Sequence, residues 1–291
     1  MTIQEIRQDI RHIQILTKNL LTSQFSGAFR TAIRGTGLEF DEVRQYFAGD
    51  DVRRIDWNVS ARTNSLFVKQ YKEERELNIH LLIDVSRSHR GLSSQKWKQT
   101  LSLAATLGQA ALNSRDNLSV ASFSSILEAY FPAIKNEAQF WANLTQIVSR
   151  EPKEHTTDIR EALQAWYLNR PKRGVVFIFS DCFNPCNYAD ILKIVSAKYQ
   201  IVIFRILESS FLPEVRGFLP VQDSETGTLS WVSGNQNDAS SWSQINTEIL
   251  NYLRGLYQKN GIGCVQISSD ENYFSKVQLF FSKPFLKQFL L

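Results

Sequence analysis

The chain has 291 residues, of which 43% are hydrophobic, and its 33 Lys and Arg against 29 Asp and Glu give a formal net charge of +4. That balance suits a globular protein of one large or two modest domains, and no apolar run approaches the roughly 18 residues of a membrane span. The basic clusters Arg53-Arg54 and Lys69–Lys72 are interleaved with Asp50, Asp51, Glu73, Glu74 and Glu76, which reads as ion-paired surface and not as a nucleic-acid stripe.

Ile3, Ile6, Ile10, Ile13 and Leu20 recur at helical spacing and predict an amphipathic helix within residues 1–24, packed on the domain. Residues 26–37 are rich in glycine and read as loop. A polar and aromatic block follows, and residues 25–76 are taken as one irregular segment lying on the main sheet. Its acids Asp50, Asp51 and Asp56 are expected to pair with Arg44, Arg53, Arg54 and Arg62, with Tyr46 and Trp57 as packing anchors; a docking surface is the alternative. From Leu66 the pattern is regular. Strands are predicted at 66–68, 79–83, 118–123, 174–180, 201–206 and 263–267, with a short hairpin strand at 126–131. Helices are predicted at 97–112, 140–148, 159–168, 188–198 and 242–257. Between 207 and 240 the alternation breaks, and the turn residues Asp223–Gly227 predict an inserted β-hairpin.

Strand–helix alternation of this kind predicts an α/β domain over 77–270, with a doubly wound, mostly parallel sheet and helices on both faces. Residues 271–291 form an apolar tail, read as packing on the domain; a bilayer surface or a partner groove is the alternative. Cys182, Cys186 and Cys264 match neither a disulfide framework nor a zinc site, and Cys182 reads as a buried free thiol. The opening residues lack a secretory signal's basic start and apolar core. A soluble, cytoplasmic protein is expected.

Chemistry concentrates at the predicted strand ends. Asp84-Val85-Ser86-Arg87-Ser88 follows the apolar run Leu81-Leu82-Ile83, and Asp181 follows Val175–Ser180. Thr157 stands just before the helix at 159. A carboxylate with two hydroxyls at alternate positions is a set of hard oxygen ligands, the kind that suits Mg2+ or Mn2+. Loops at the carboxyl ends of strands are where open α/β sheets build ligand sites. Asp84, Ser86, Ser88, Thr157 and Asp181, in that order on three loops, resemble the metal-ion-dependent adhesion site of the von Willebrand factor A domain.

The block before that motif is similar to a second signature. Glu39-Phe40-x-x-Val43-Arg44-x-Tyr46, Gly49-Asp50-Asp51-x-Arg53-x-Ile55-Asp56-Trp57 and Ser60-Ala61-Arg62 resemble the bacterial family catalogued as domain of unknown function fifty-eight. The hairpin segment Asp223-x-Glu225-Thr226-Gly227 resembles it too, and the likeness runs from about Phe25 to Ile267. It implies a von Willebrand A fold and a role as adaptor or partner of a MoxR-type AAA+ ATPase. Members often carry glycines where this chain has His155-Thr156. That leaves Thr156 or Thr157 as the ligand, with the following Ile159 and Ala162-Leu163 favouring Thr157.

The expected function is non-enzymatic, metal-dependent protein binding, with a partner's Glu or Asp carboxylate completing the ion's shell. No nucleophile–base set is apparent among His12, His80, His89 and His155, and His89 and His155 read as surface loop residues. The rival reading is a magnesium phosphohydrolase of haloacid-dehalogenase type. That chemistry needs an acid two residues after its nucleophilic Asp, where this chain has Ser86.

Overall fold

A computed structural model describes residues 40–63, 65–71, 76–90, 94–154, 156–182, 188–208, 218–222, 229–233 and 251–282. The helix expected within 1–24, the loop at 26–37 and the last residues of the tail lie outside these. The described chain opens with β1 (Phe40–Gln45), a 3-10 turn (Val52–Arg54), α1 (Trp57–Thr63) and β2 (Phe67–Tyr71). It continues with β3 (Asn78–Asp84), the one-turn α2 (Arg87–Arg90), α3 (Ser94–Asn113), β4 (Asn117–Phe123) and β5 (Leu127–Ile134). Then come α4 (Glu137–Ser149), α5 (Ile159–Leu168), β6 (Val175–Ser180), α6 (Ala189–Ser196) and β7 (Gln200–Leu207). β8 (Phe218–Gln222) and β9 (Leu229–Ser233) form a separate antiparallel pair. A helix at 251–259, here α7, β10 (Gly263–Ser268) and α8 (Tyr273–Ser282) complete it.

The main sheet has six strands in the order β10-β7-β6-β3-β4-β5. Every pairing is parallel except that of β4 with β5. The chain enters at the centre on β3, moves outward to β4 and β5, and returns to the other side of β3 as β6. Strand order therefore reverses between β3 and β6, and a crevice opens there at the carboxyl ends of the strands.

Both central strands are apolar without alternation because both faces are covered. Ile79, Leu81 and Ile83 meet α3, α4 and α8 on one face, and Leu82, Val176 and Ile178 meet α5, α6 and α7 on the other. Residues 99–114 contain no charged side chain, and α3 is correspondingly buried almost all round. Part of the expected apolar tail is α8, whose Phe281 is 3% exposed and lies edge-on to Phe177. Each such aromatic contributes about 1.5–3 kcal/mol by leaving water. Among the described residues no helix is long and apolar enough to cross a membrane.

The expected irregular segment before β3 is instead an ordered hairpin unit. β1 and β2 pair antiparallel, and Ile55 bridges Val68, both buried. Gly49 has φ 114°, a backbone that disfavours any residue with a Cβ. Next to it the Arg44 guanidinium grips Asp50 through two contacts of 2.7 Å. Asp51 accepts from the N–H of Arg53, and Asp56 from those of Asn58 and Val59. Trp57 is not a packing anchor. It is 68% exposed, because the α1 face that packs inward is the one carrying Ser60, whose Oγ accepts from the N–H of Phe67.

A Cβ on Gly108 would lie 2.3 Å from Cζ of the fully buried Phe140, where α3 meets α4. Gly108→Ala should cost about 1–3 kcal/mol of unfolding free energy in urea titration. His80 is buried against Trp166 and Tyr199, with its Nδ1 2.6 Å from Ser119 Oγ and its Nε2 2.9 Å from the carbonyl of Lys172. Burial depresses its pKa to about 4, partly offset by that carbonyl. The unfolded chain therefore binds the extra proton first as pH falls. The stability contributed by neutral His80 is intact above pH 6.5 and declines toward pH 4, by on the order of 2 kcal/mol between pH 7 and 5. His80→Gln should flatten that part of the stability–pH curve.

Candidate functional site

Asp84 ends β3 with no solvent exposure. Its Oδ1 accepts from the backbone N–H of Ser86 at 2.9 Å and its Oδ2 from Ser180 Oγ at 2.6 Å. Those donors favour the ionised carboxylate, but burial and the neighbouring Asp181 charge outweigh them and hold its pKa well above the usual carboxylate range. A cation beside it would reverse that balance.

The two serines are not on an open loop. The Ser86 carbonyl accepts from the N–H groups of His89 and Arg90, so the chain turns at once into α2. That turn sets Ser86 Oγ 3.1 Å from Ser88 Oγ. Thr157 comes from the loop before α5. Its neighbour Asp158 caps that helix by accepting from the N–H groups of Arg160 and Glu161, and the Asp158 N–H donates to the carbonyl of Ser124 beyond β4. So anchored, Thr157 Oγ1 lies 3.4 Å from Ser88 Oγ, whereas Thr156 is exposed.

Asp181 follows β6 and is 8% exposed. Three features pin it. Lys96, from the first turn of α3, places Nζ 2.8 Å from Asp181 Oδ2 and 3.3 Å from the Ser88 carbonyl oxygen. The Arg205 guanidinium, 1% exposed, donates from Nε to the Asp181 carbonyl at 2.7 Å, while its Nη1 and Nη2 make no hydrogen bond among the described residues. Cys182, next in sequence, holds a left-handed backbone with φ 51°, a strain of about 1–2 kcal/mol. Its thiol is free and buried, and burial pushes its pKa up to about 12, so it is no nucleophile at neutral pH.

His89 is not a surface loop residue. It is fully buried, with Nε2 2.8 Å from Thr100 Oγ1, because α2 turns it inward onto α3. Burial first, then the Lys96 charge, lower its pKa to about 3, which keeps it neutral. His155 and Cys186 lie outside the described residues. Lys96, Ser180 and Arg205 were not singled out in the sequence. The sequence does not separate Lys96 from Lys98, which immediately precedes the uncharged stretch 99–114 and is exposed.

Ser86, Ser88 and Thr157 thus present adjacent hydroxyls beside a buried carboxylate, with Asp181 across the crevice. Octahedral Mg2+ with oxygens at 2.0–2.1 Å sets neighbouring ligands about 2.9 Å apart, close to the Ser86–Ser88 separation. Among the described residues no group of three or more His, Cys, Asp and Glu is placed to hold a metal, so a cation here would depend on hydroxyl oxygens. A cavity of about 160 Å3 lined by Val85, Ser122, Glu128, Ile147 and Arg150 opens nearby, and none of the candidate ligands lines it.

Fold and site define an open α/β domain with a hydroxyl–carboxylate cluster at its topological switch point. The chain belongs to the family described as "Protein of unknown function DUF58", whose model matches residues 42–246. Its relatives include the uncharacterized proteins Rv1480 of Mycobacterium tuberculosis and Mb1516 of Mycobacterium bovis. Each is 30% identical over 228 residues, covering 76% of this chain and 71% of the relative. Among solved structures, the conserved hypothetical protein BatB from Bacteroides thetaiotaomicron is 12% identical, with a TM-score of 0.44 over 72% of this chain and 98% of that one. An aerotolerance-related membrane protein from Bacteroides fragilis is 13% identical, with the same TM-score and coverage.

Ser180→Ala would leave Asp84 Oδ2 without its buried donor. We expect a loss of about 1–3 kcal/mol in urea unfolding at pH 7, with the native fold kept by circular dichroism.

Proposed function

We propose that this chain is a metal-dependent protein-binding module, a von Willebrand A-like domain in which Asp84, Ser86, Ser88, Thr157 and Asp181 hold Mg2+ or Mn2+. The observation that carries the reading is the convergence of the three hydroxyls, at 3.1 and 3.4 Å, beside buried Asp84 at the β3–β6 crevice. Neutral hydroxyls bind a divalent ion without cancelling its charge. With Asp84 and Asp181 as its only anionic ligands, the bound ion would carry no excess negative charge and would have an open position for a partner's Glu or Asp carboxylate. Asp84, held by Ser86 and Ser180, would act from a fixed orientation.

The signature block supports a protein partner. Phe47, Val52, Trp57 and Leu66 are 66%, 61%, 68% and 45% exposed within one short segment. Large apolar residues left in water are the raw material of interface anchors. A MoxR-type AAA+ ATPase, or a client that it remodels, is the partner we propose, with this chain as adaptor and not as enzyme. The phosphohydrolase reading would require acid chemistry at position 86. Ser86 cannot supply it.

Calorimetric titration of Mg2+ and Mn2+ into wild type and Asp84→Ala tests the reading. Losing an outer-shell partner of a metal costs about 10–100-fold in affinity, so loss of a direct carboxylate should cost at least a hundredfold. Saturable binding in wild type, gone in a folded Asp84→Ala, is the expected result. Equal binding by both proteins would remove Asp84 from the site and the proposal with it.

A further inference from the structure

We propose that Lys96 is a tethered competitor for the metal: its ammonium and a divalent ion draw on the same Asp181 carboxylate, and the ion gains that carboxylate only when Lys96 withdraws. This rests on the metal reading above and adds a regulator built into the same site. The lysine side chain is only 8% exposed, and its Nζ contacts Asp181 Oδ2 and the Ser88 carbonyl oxygen, at 2.8 and 3.3 Å. Both acceptors belong to residues assigned to the ion. The ammonium thus already lies against two of the residues that a metal would need.

Lys96 and Asp181 form an ion pair in which both side chains are nearly buried, 8% and 11% exposed. A divalent ion drawing on the same group would stand beside an ammonium in surroundings that screen like charges poorly. The two cations therefore compete. The lysine stem is a flexible chain of four methylenes, so its head can leave Asp181 while α3 stays packed. Asp181 then exchanges a bound monovalent partner for a divalent one without refolding. A carboxylate from a binding partner lowers the barrier from both sides, because it fills the ion's open position and offers the displaced ammonium a new counter-ion. Metal and partner should each tighten the binding of the other.

Lys96→Gln keeps a hydrogen-bond donor toward Asp181 and removes the charge. By calorimetry this variant should bind Mg2+ at least tenfold more tightly than wild type. A second measurement needs no variant: acetylation of the wild-type protein with an amine-specific reagent, read by mass spectrometry. Saturating Mg2+ should raise labelling of Lys96 several-fold while that of the exposed Lys98 stays constant. This arm decides the matter if Lys96→Gln fails to fold. Mg2+ bound equally by both proteins, with Lys96 labelling unchanged, would overturn the competitor role and leave the metal site standing. No binding by either protein would remove the metal site and the role of Lys96 together.

Discussion

The parallel pairing of β3 with β6 is the contact on which the rest of the site depends. Its register, from Ile79 opposite Val175 to Ile83 opposite Phe179, sets the two strand ends side by side. Asp84 and Ser180 then meet at 2.6 Å, and Asp181 follows directly. Neither strand could sit at the centre of the sheet unless both its faces were apolar, and neither face could be apolar without helices over it. The helices on each side are thus the condition for a carboxylate at the switch point. A buried Asp84 in turn demands polar neighbours, which the adjoining turn and the end of β6 provide.

Charge around the crevice adds little net stability. A buried ion pair such as Lys96–Asp181 roughly breaks even against desolvation, while removing one partner from such a pair costs about 3–5 kcal/mol. The pair holds the arrangement without adding much to it. Arg205 contributes in another way: Nε fixes the Asp181 main chain, and its buried charge lies beneath the same loop. His89, although next to Ser88, stays neutral and serves as packing between α2 and α3. The strained backbone of Cys182 directly follows Asp181.

The signature block combines rigidity with apolar exposure. Gly49 with its positive φ, the two-pronged Arg44–Asp50 contact, and the caps made by Asp51 and Asp56 hold a short hairpin unit in one shape. Arg44 drives the Asp50 pKa down to about 2, so the contact stays ionic throughout the physiological range. That shape presents Phe47, Val52 and Trp57 to solvent. A partner covering these residues would meet a preformed surface, which loses little entropy on binding.

Residue pattern alone determined the layered α/β class, because strands apolar on both faces and helices with long apolar stripes leave few other architectures. The helix at 159–168 is legible to its ends: Asp158 caps it, and the chain then runs into Pro171. The same pattern placed Asp84 and Asp181 at strand ends, since each directly follows an uninterrupted apolar run. What sequence could not supply was direction in space. Whether Trp57 faces in or out depends on which side of a seven-residue helix meets β2, and that helix is too short for periodicity to show it. The inward turn of His89 is hidden from the sequence for a related reason. A single turn after Ser86 leaves no periodic signal, yet it rotates the ring into the core. Lys96, Ser180 and Arg205 reach the site from three separate elements. Only the tertiary structure brings them together, because their meeting is set by strand order and helix packing, which act between residues far apart in the chain.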